Sequence, residues 1–359
     1  MHLSIIGSPL CGKTTLFKAL AGSEGRAGGQ GKAGVAVIDV PDERVDRLSR
    51  IFHPKKTVYG RIEVCDTDSI HEGDMKAGAV PAGLLRQMRP ADAFIVVLNH
   101  FDAAGLNNAG GAEAASALRA LVNELMIADM VQIEGRLERI KKQAGRKEAA
   151  LEQEKAALEQ CLVHLEQGAP LSSLPLFASD GKLLRGFQFL SLKPLMIVVN
   201  CSEGAMRDGA PVRDEVSCRI AGAAPDAPVI AACAGLEAEL AVMGEADRAA
   251  FMAEYGIAES LKGSIIRLAY ETLGLISFLT VGEDECRAWP VRRGTTAQEA
   301  AATIHTDLSE RFIRAETVAY DDFMAYGDFA GCKKAGVWRL EGKQYIVKDG
   351  DIISVRSGA

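Results

Sequence analysis

The sequence predicts an α/β protein: a doubly wound domain interrupted by a helical hairpin and followed by a small mixed α+β module. Three observations carry this. Short apolar runs alternate with helix-spaced stretches over the first hundred residues. A stretch rich in Ala, Leu, Glu, Lys and Arg then extends from about Ala112 to Gln167. The residues beyond about 276 are dominated by short strand-like runs.

Taken in order, Leu3–Ile6 reads as a strand, followed by a glycine-rich turn and a helix over Lys13–Leu20. Val35–Ile38 is a second strand, and Val45, Leu48 and Ile51 fall at helical spacing within Asp42–Ile51. Arg61–Cys65 is a strand that enters a loop rich in Gly and Asp. Phe94–Leu98 is a continuous apolar, β-branched run, as a strand buried on both faces requires. Leu118, Leu121 and Leu125 recur at helical spacing, as do Ile133, Leu137 and Ile140, then Leu151, Leu158, Leu162 and Leu165. That pattern predicts two helices sharing an apolar seam and folding back near Gly145. Arg136, Arg139, Lys141, Lys142, Arg146 and Lys147 gather at the tip. They read either as a solvated face with i,i+4 partners such as Glu138 and Glu148, or as a contact for RNA phosphates.

The α/β texture returns with strands at Leu195–Val199 and Pro228–Ala232 and helices at Leu236–Val242 and Ser260–Leu273, which makes the hairpin an insertion. Short strands follow at Ser277–Val281, Glu285–Pro290, Arg314–Ala319, Val337–Leu340 and Ile352–Val355, with one clear helix around Ala297–Thr303. The expected boundaries are 1–111 with 190–275 for the α/β domain, 112–189 for the arm and 276–359 for the last module.

Composition narrows the function classes. The 359 residues are 48% hydrophobic and 25% charged, enough for real cores. Lys and Arg number 41 against 48 Asp and Glu, a net charge of −7. This argues against a surface that binds nucleic acid by bulk charge but leaves room for a local basic patch. No apolar run reaches the ~20 residues of a membrane-spanning helix. Met1–Ile6 lacks the pattern of a secretory signal, so a cytoplasmic location is expected. The eight cysteines are scattered without a CxxC pair, and the six histidines form no HExxH, so neither a disulfide framework nor a structural metal is expected.

The strongest motif is Gly7-Ser8-Pro9-Leu10-Cys11-Gly12-Lys13-Thr14, which fits G-x-x-x-x-G-K-[ST] between a strand and a helix. Gly7 and Gly12 let the backbone curl so that its N–H groups face inward, and the following helix adds the positive end of its dipole. Leu10, Cys11, Gly12, Lys13, Thr14 and Thr15 are therefore candidate nucleotide-binding residues. Lys13 places a charge on the β- and γ-phosphates, which also makes it the candidate catalytic group. Thr14 offers its hydroxyl to Mg²⁺, and Thr15 can donate to the α-phosphate. Asp66 ends an apolar strand and is the second candidate Mg²⁺ ligand.

Three residues later, Ser69 stands where GTPase-like sites carry a glycine. Ile70 fills the place of the water-orienting Gln of Ras-type enzymes, and an Ile cannot orient water by hydrogen bonding. Asn200-Cys201-Ser202-Glu203 ends another strand. Guanine selection uses Asn-Lys-x-Asp; here Cys replaces the Lys and Glu is one methylene longer than Asp. Asn200 can brace the loop or reach the base edge, and Glu203, Ala232 and Cys233 are the other candidates around the base. His305 with Asp307 reads as part of a structural segment, and Asp321 with Asp322 and Asp349 with Asp351 read as turn residues flanking strands. Trp289, Phe312, Phe323 and Trp338 read as core aromatics.

These pieces together resemble the YchF family, the Obg-like ATPases within the Obg-related P-loop NTPases. The resemblance covers nearly the whole chain: the Gly7–Thr15 loop, Asn123-Glu124-Leu125 with Ala128-Asp129, the Asn200–Glu203 segment and the Ala232–Leu240 run. It is most specific in the last module, through Arg287-Ala288-Trp289, Ile304–Asp307, Arg311–Glu316, Tyr320–Phe323, Gly336–Lys343 and Tyr345–Asp351. It implies a P-loop NTPase sheet with an inserted coiled-coil arm and a C-terminal β-grasp domain of the TGS type. It also implies a cytosolic nucleotide hydrolase that prefers ATP to GTP, with Mg²⁺, in association with ribosomes or RNA, in translation or stress control. The resemblance implies, too, that an apolar residue at the Ile70 position is a family trait.

The chain departs from the family pattern where the γ-phosphate is sensed. The first switch, Gly22–Val35, holds no Thr. The second reads Asp68-Ser69 in place of Pro-Gly, followed by His71–Lys76 in place of a glycine-rich loop. Asn107 and Asn108 stand where relatives often carry a His. Three functions follow: a slow Mg²⁺-dependent ATPase switch, a nucleotide-binding scaffold with little or no turnover, or a GTPase of the same architecture. With no self-complementary segment identifiable, a monomer is expected.

Overall fold

The structure is a computed structural model. It describes residues 1–22, 34–75, 81–101, 111–142, 149–175, 183–206, 209–254, 257 and 259–358. The chain forms two compact units, Met1–Val37 with Glu63–Ile265 and Ile38–Ile62 with Ile266–Ala359.

In chain order the strands are β1 (His2–Ile6), β2 (Gly34–Val40), β3 (Lys56–Val58), β4 (Gly60–Asp66), β5 (Ala93–Asn99), β6 (Leu195–Asn200), β7 (Val229–Ala232), β8 (Leu275–Thr280), β9 (Glu285–Arg292), β10 (Phe312–Ala319), β11 (Arg339–Glu341) and β12 (Asp351–Ser357). The helices are α1 (Lys13–Ala21), α2 (Glu43–Phe52), α3 (Ala82–Met88), α4 (Gly111–Lys142), α5 (Ala149–Glu166), α6 (Glu203–Met206), α7 (Gly209–Ile220), α8 (Ala234–Leu240), α9 (Glu245–Glu254), α10 (Leu261–Thr272), α11 (Ala297–Ile304), α12 (Thr306–Glu310), α13 (Tyr320–Tyr326) and α14 (Phe329–Ala335).

The first sheet has the order β2-β4-β1-β5-β6-β7. β1 is parallel to β4 and β5, and β5, β6 and β7 continue in parallel. All but the last residue of β5 are buried, as its unbroken apolar run requires. The register puts Ile5 opposite Asp66, Ile6 opposite Val96, Asn99 opposite Asn200 and Asn200 opposite Ala232. The carboxyl ends of five strands are thereby aligned on one edge, where open α/β sheets bind their ligands.

α4 runs for 32 residues and has two roles. Its first half packs Leu118, Leu121 and Leu125 into the same apolar cluster as Phe94 and Val96 of β5. Its second half carries Ile133, Leu137 and Ile140 against Leu158, Cys161 and Leu165 of α5. The expected seam is present. Arg136 is held across the hairpin rather than by an i,i+4 partner: its guanidinium makes a two-pronged contact with Glu154, at 2.6 and 2.8 Å. A planar fork matches a carboxylate in this geometry and staples the two helices. Arg146, Lys147 and Glu148 lie outside the described residues.

The second sheet has the order β11-β10-β12-β8-β9-β3. β12 pairs with β8 in parallel, while β10 is antiparallel to both β11 and β12. The short β3 adds in parallel to β9, and α2 sends Val45 and Leu48 into the cluster built on Leu279, Val318 and Ile352. Asp42 caps α2 by accepting from Arg44 N at 2.9 Å. Arg44 also donates to Asp349 Oδ2 at 2.8 Å, and Ser277 N donates to Asp349 Oδ1, so that this Asp is structural.

Three helices of the last module, α12, α13 and α14, go beyond the single helix that the sequence predicts there. Each is five to seven residues long, too short to show an apolar period, and two are begun by side chains. His305 Nδ1 accepts from Asp307 N at 3.2 Å, and Asp328 accepts from Gly331 N. Asp321 and Asp322 sit in the first turn of α13, where an acidic side chain meets the helix dipole favourably, rather than in a turn beside a strand.

Candidate nucleotide site

The site is built at the end of β1. Gly7 and Gly12 are forced by space. A Cβ on Gly7 would lie 2.7 Å from Val97 O and 2.8 Å from Cys11 Sγ. Gly12 has φ 99°, and a Cβ there would run into the Asn200 amide. Gly12 begins α1 with no side-chain cap, and the first turn holds no acidic residue. The first-turn N–H groups therefore keep their pull on an anion. Leu10 takes a left-handed φ of 61° and is 93% exposed, at the crest of the loop. Cys11 is buried, and burial pushes its thiol up in spite of the nearby Lys13, so it is no ready nucleophile.

Lys13 is 6% exposed and reaches back over the loop. Its Nζ donates to Gly7 O at 3.1 Å, Ser8 O at 3.0 Å and Ser69 Oγ at 2.8 Å. Thr14 Oγ1 donates to Asp66 Oδ2 at 2.8 Å. This pair forms because the β1–β4 register carries Asp66 to the start of α1. Burial raises the Asp66 carboxyl, with the Thr14 bond and the Lys13 charge opposing the rise. Its Oδ1 is buried without a hydrogen-bond partner among the described residues. A hydroxyl and a buried carboxylate oxygen that lacks a partner form a hard, all-oxygen donor set, which fits Mg²⁺. No group of three or more His, Cys, Asp or Glu able to hold a metal occurs among the described residues. A cation here would complete its shell with phosphate and water, as Mg²⁺ does at nucleotide sites.

Asn200 is 5% exposed and spends both ends of its amide on backbone. Nδ2 donates to Cys11 O at 3.0 Å, and Oδ1 accepts from Ala234 N at 3.0 Å. It therefore braces the loop against β6 and α8. Cys201 is buried, its Sγ 3.4 Å from Ala232 O, so the position of a guanine-site Lys holds a small apolar group turned inward. Glu203 is exposed at the start of α6, and Ala232 and Cys233 are buried where β7 passes into α8.

The second switch is tied down on both sides. Thr67 Oγ1 donates to Ile5 O at 2.6 Å, and Asp68 and Gln87 of α3 exchange two bonds of 3.1 Å. Ile70 N donates to Gly7 O at 3.2 Å, while the Ile70 side chain packs with Ile6, Met75 and Leu84. Further on, the buried carboxylate of Glu124, on α4, accepts from Gly73 N at 2.7 Å and Met75 N at 2.9 Å. Composition and spacing alone do not reveal Glu124 or the Ser69 hydroxyl. Each acts across more than 45 residues of chain, and only the resemblance singled out Asn123-Glu124-Leu125. Asn107, Asn108, Lys76 and most of Gly22–Val35 lie outside the described residues.

A sheet with five strands in parallel, a glycine-rich loop at the end of its first strand, and a Lys, Thr and Asp converging on that loop define the P-loop NTPase class. Comparisons with known proteins narrow this. The family model YchF-GTPase_C, described as "Protein of unknown function (DUF933)", matches residues 275–357. The chain is 34% identical over 361 residues to the "Ribosome-binding ATPase YchF" of Bacillus subtilis, with 98% of each chain covered. It is equally identical over 359 residues to the protein of that name from Escherichia coli O157:H7, covering 98% of this chain and 97% of the relative. The solved structure of the Schizosaccharomyces pombe YchF GTPase superposes with a TM-score of 0.82 at 27% identity, covering 99% of this chain and 97% of the other. A GTP binding protein of Pyrococcus horikoshii OT3, at 17% identity, shares the fold with a TM-score of 0.59. The chain belongs to the YchF family.

Proposed function

We propose that this chain is a slow, Mg²⁺-dependent ATP hydrolase that acts as a nucleotide-controlled factor on the ribosome. The observation that carries the reading is the meeting of Lys13, Thr14 and Asp66 over the loop, with one Asp66 oxygen left for a cation. The backbone of Leu10–Thr15 cradles the phosphates, and Lys13 neutralises charge on the transferring group. Thr14 and Asp66 would hold Mg²⁺, which when bound would supply neutralisation of negative charge on the nucleotide's phosphates. Asn200 keeps the loop in shape from behind.

Adenine is favoured over guanine because the Lys of a guanine site is replaced by the inward-facing Cys201 and because Glu203 is exposed. Ala232 and Cys233 border the base pocket. The ribosome is assigned from the printed names of relatives that match along nearly their whole length, and a cytoplasmic location follows from that partner. No helix among the described residues is long and apolar enough to cross a membrane. We read 1–111 with 190–275 as the NTPase domain, 112–189 as its arm and 276–359 as a TGS-like module, in a monomeric protein.

A second reading, a nucleotide-binding scaffold with little turnover, has one observation in its favour. Ile70 is buried in the apolar cluster, so the glutamine position supplies no group for the attacking water. Competition of ATP and GTP for a fluorescent nucleotide, with and without Mg²⁺, tests the binding assignment. ATP is expected to displace the probe at lower concentration than GTP, and Asp66→Ala to remove the effect of Mg²⁺. Preference for GTP would overturn the adenine assignment.

A further inference from the structure

We propose that the second unit holds a binding site for a small apolar carboxylic acid, in a cavity of about 190 Å³ lined by β10, β12 and α14. Strand register shapes one wall. Val318 of β10 lies opposite Ile352 of β12, and Glu316 lies opposite Ser354. Side chains two apart on a strand share a face, so these four form one patch, apolar at one end and polar at the other. The helix contributes the same division. Phe329 and Lys333 are four residues apart on α14 and so lie on one side of it. All of these residues line the cavity, as does Trp338. Phe329 and Trp338 pack on the apolar cluster that contains Val318 and Ile352.

The charges at the polar end do not cancel. Glu316 is paired with Arg356, which compensates its carboxylate. The Lys333 ammonium lies 4.5 Å from the centre of the Trp338 ring and has no ion-pair partner among the described residues. An indole face attracts an ammonium through its quadrupole but does not neutralise it. The Ser354 side chain is exposed, and its hydroxyl has no hydrogen-bond partner among the described residues. An uncompensated cation and a spare hydroxyl beside apolar walls select a monoanion with an apolar body. Volume sets the size. A cavity of about 150 Å³ takes one benzene-sized molecule, so an acid such as isocaproate or benzoate fits and a nucleotide does not. These residues all belong to the unit that lacks Lys13 and Asp66, so the cavity is not part of the nucleotide loop.

The test is calorimetric titration of the full-length protein with acetate, butanoate, isocaproate and isocaproamide, in the wild type, Lys333→Gln and Ser354→Tyr. Both positions are exposed, so neither change disturbs a core, and equal urea midpoints show that each variant is folded. The wild type is expected to bind isocaproate with a Kd of about 1 mM or lower, and affinity is expected to rise about three- to fourfold per added carbon along the acids. Isocaproamide, which has the same body without the charge, is expected to bind about tenfold more weakly. Lys333→Gln is expected to weaken isocaproate five- to tenfold, to about the level of the amide, and to change the amide by less than about twofold. Ser354→Tyr fills the polar end and is expected to weaken acid and amide alike. Absence of isocaproate binding in the wild type would overturn the proposal. So would equal affinity for acid and amide, or an isocaproate Kd unchanged in Lys333→Gln, since either removes the carboxylate from the account. An isocaproate Kd unchanged in Ser354→Tyr would place the acid elsewhere on the protein and overturn the assignment of this cavity.

Discussion

Lys13, Asp66 and Asn200 are polar side chains drawn to the end of an apolar sheet, and each is held by specific partners rather than by solvent. Asn200 illustrates the cost of losing them. Its amide serves Cys11 O and Ala234 N, both buried, so Asn200→Ala strands an acceptor and a donor. We expect a loss of about 2 kcal/mol in urea unfolding together with weaker nucleotide binding. Asn200→Asp, which keeps the acceptor but not the donor, should spare the Ala234 contact and still loosen the loop. Lys13, Thr14 and Asp66 are legible in the sequence because the motif has fixed spacing and a strand-ending Asp follows it at a suitable distance. Asn200 is legible as a candidate, but its choice between brace and base contact depends on where β6 lies beside β1 and β5. The Lys13–Ser69 bond is illegible, since nothing local marks a hydroxyl as the partner of a Lys 56 residues away.

At the scale of elements, the link between the second switch and α4 stands out. Glu124 accepts two backbone N–H groups from the 73–75 turn, and its side chain is nearly sealed from solvent. Glu124→Ala leaves both amides unmatched and should cost about 2–4 kcal/mol. Hydrogen exchange should rise at Gly73 and Met75 before it rises elsewhere; uniform exchange across the first unit would show that the carboxylate does not anchor the turn. Strands and long helices were readable, because β5 and β6 are continuous apolar runs and the arm repeats its leucines over many turns. The short α12, α13 and α14 were not, because caps such as His305 and Asp328, rather than an apolar period, define them. The same limit hid β3, a three-residue strand whose place is set by its pairing with β9.

At the scale of the whole molecule, the chain order is interleaved. The segment Ile38–Ile62 groups with the residues after 266, although its alternation of strand and helix reads as part of the first domain. Val45 and Leu48 explain this, since their apolar partners Leu279 and Val318 lie far along the sequence. A pH effect on global stability follows from Asp129. Burial pushes its carboxyl from 3.8 up to about 6, even though Leu190 N, Ser191 N and Ser191 Oγ donate to it. The folded state thus binds a proton more tightly than the unfolded chain. The stabilisation from this proton is present below about pH 4 and is lost as pH rises through about 6. A shift of this size corresponds to roughly 3 kcal/mol. Denaturant titrations from pH 4 to 6.5 should show this downward contribution in the wild type, and Asp129→Asn should remove it; parallel curves would assign the slope to other groups.

The central claim, a Mg²⁺-dependent ATP hydrolase, is tested most directly by phosphate release from ATP and from GTP, side by side, in the wild type and in Lys13→Ala. The account predicts slow release from ATP in the wild type, weaker release from GTP, and none from either in Lys13→Ala. No release from ATP by wild-type protein that still binds it would contradict the hydrolase and leave a nucleotide-dependent scaffold. Release that survives Lys13→Ala would contradict the placement of the chemistry on this loop.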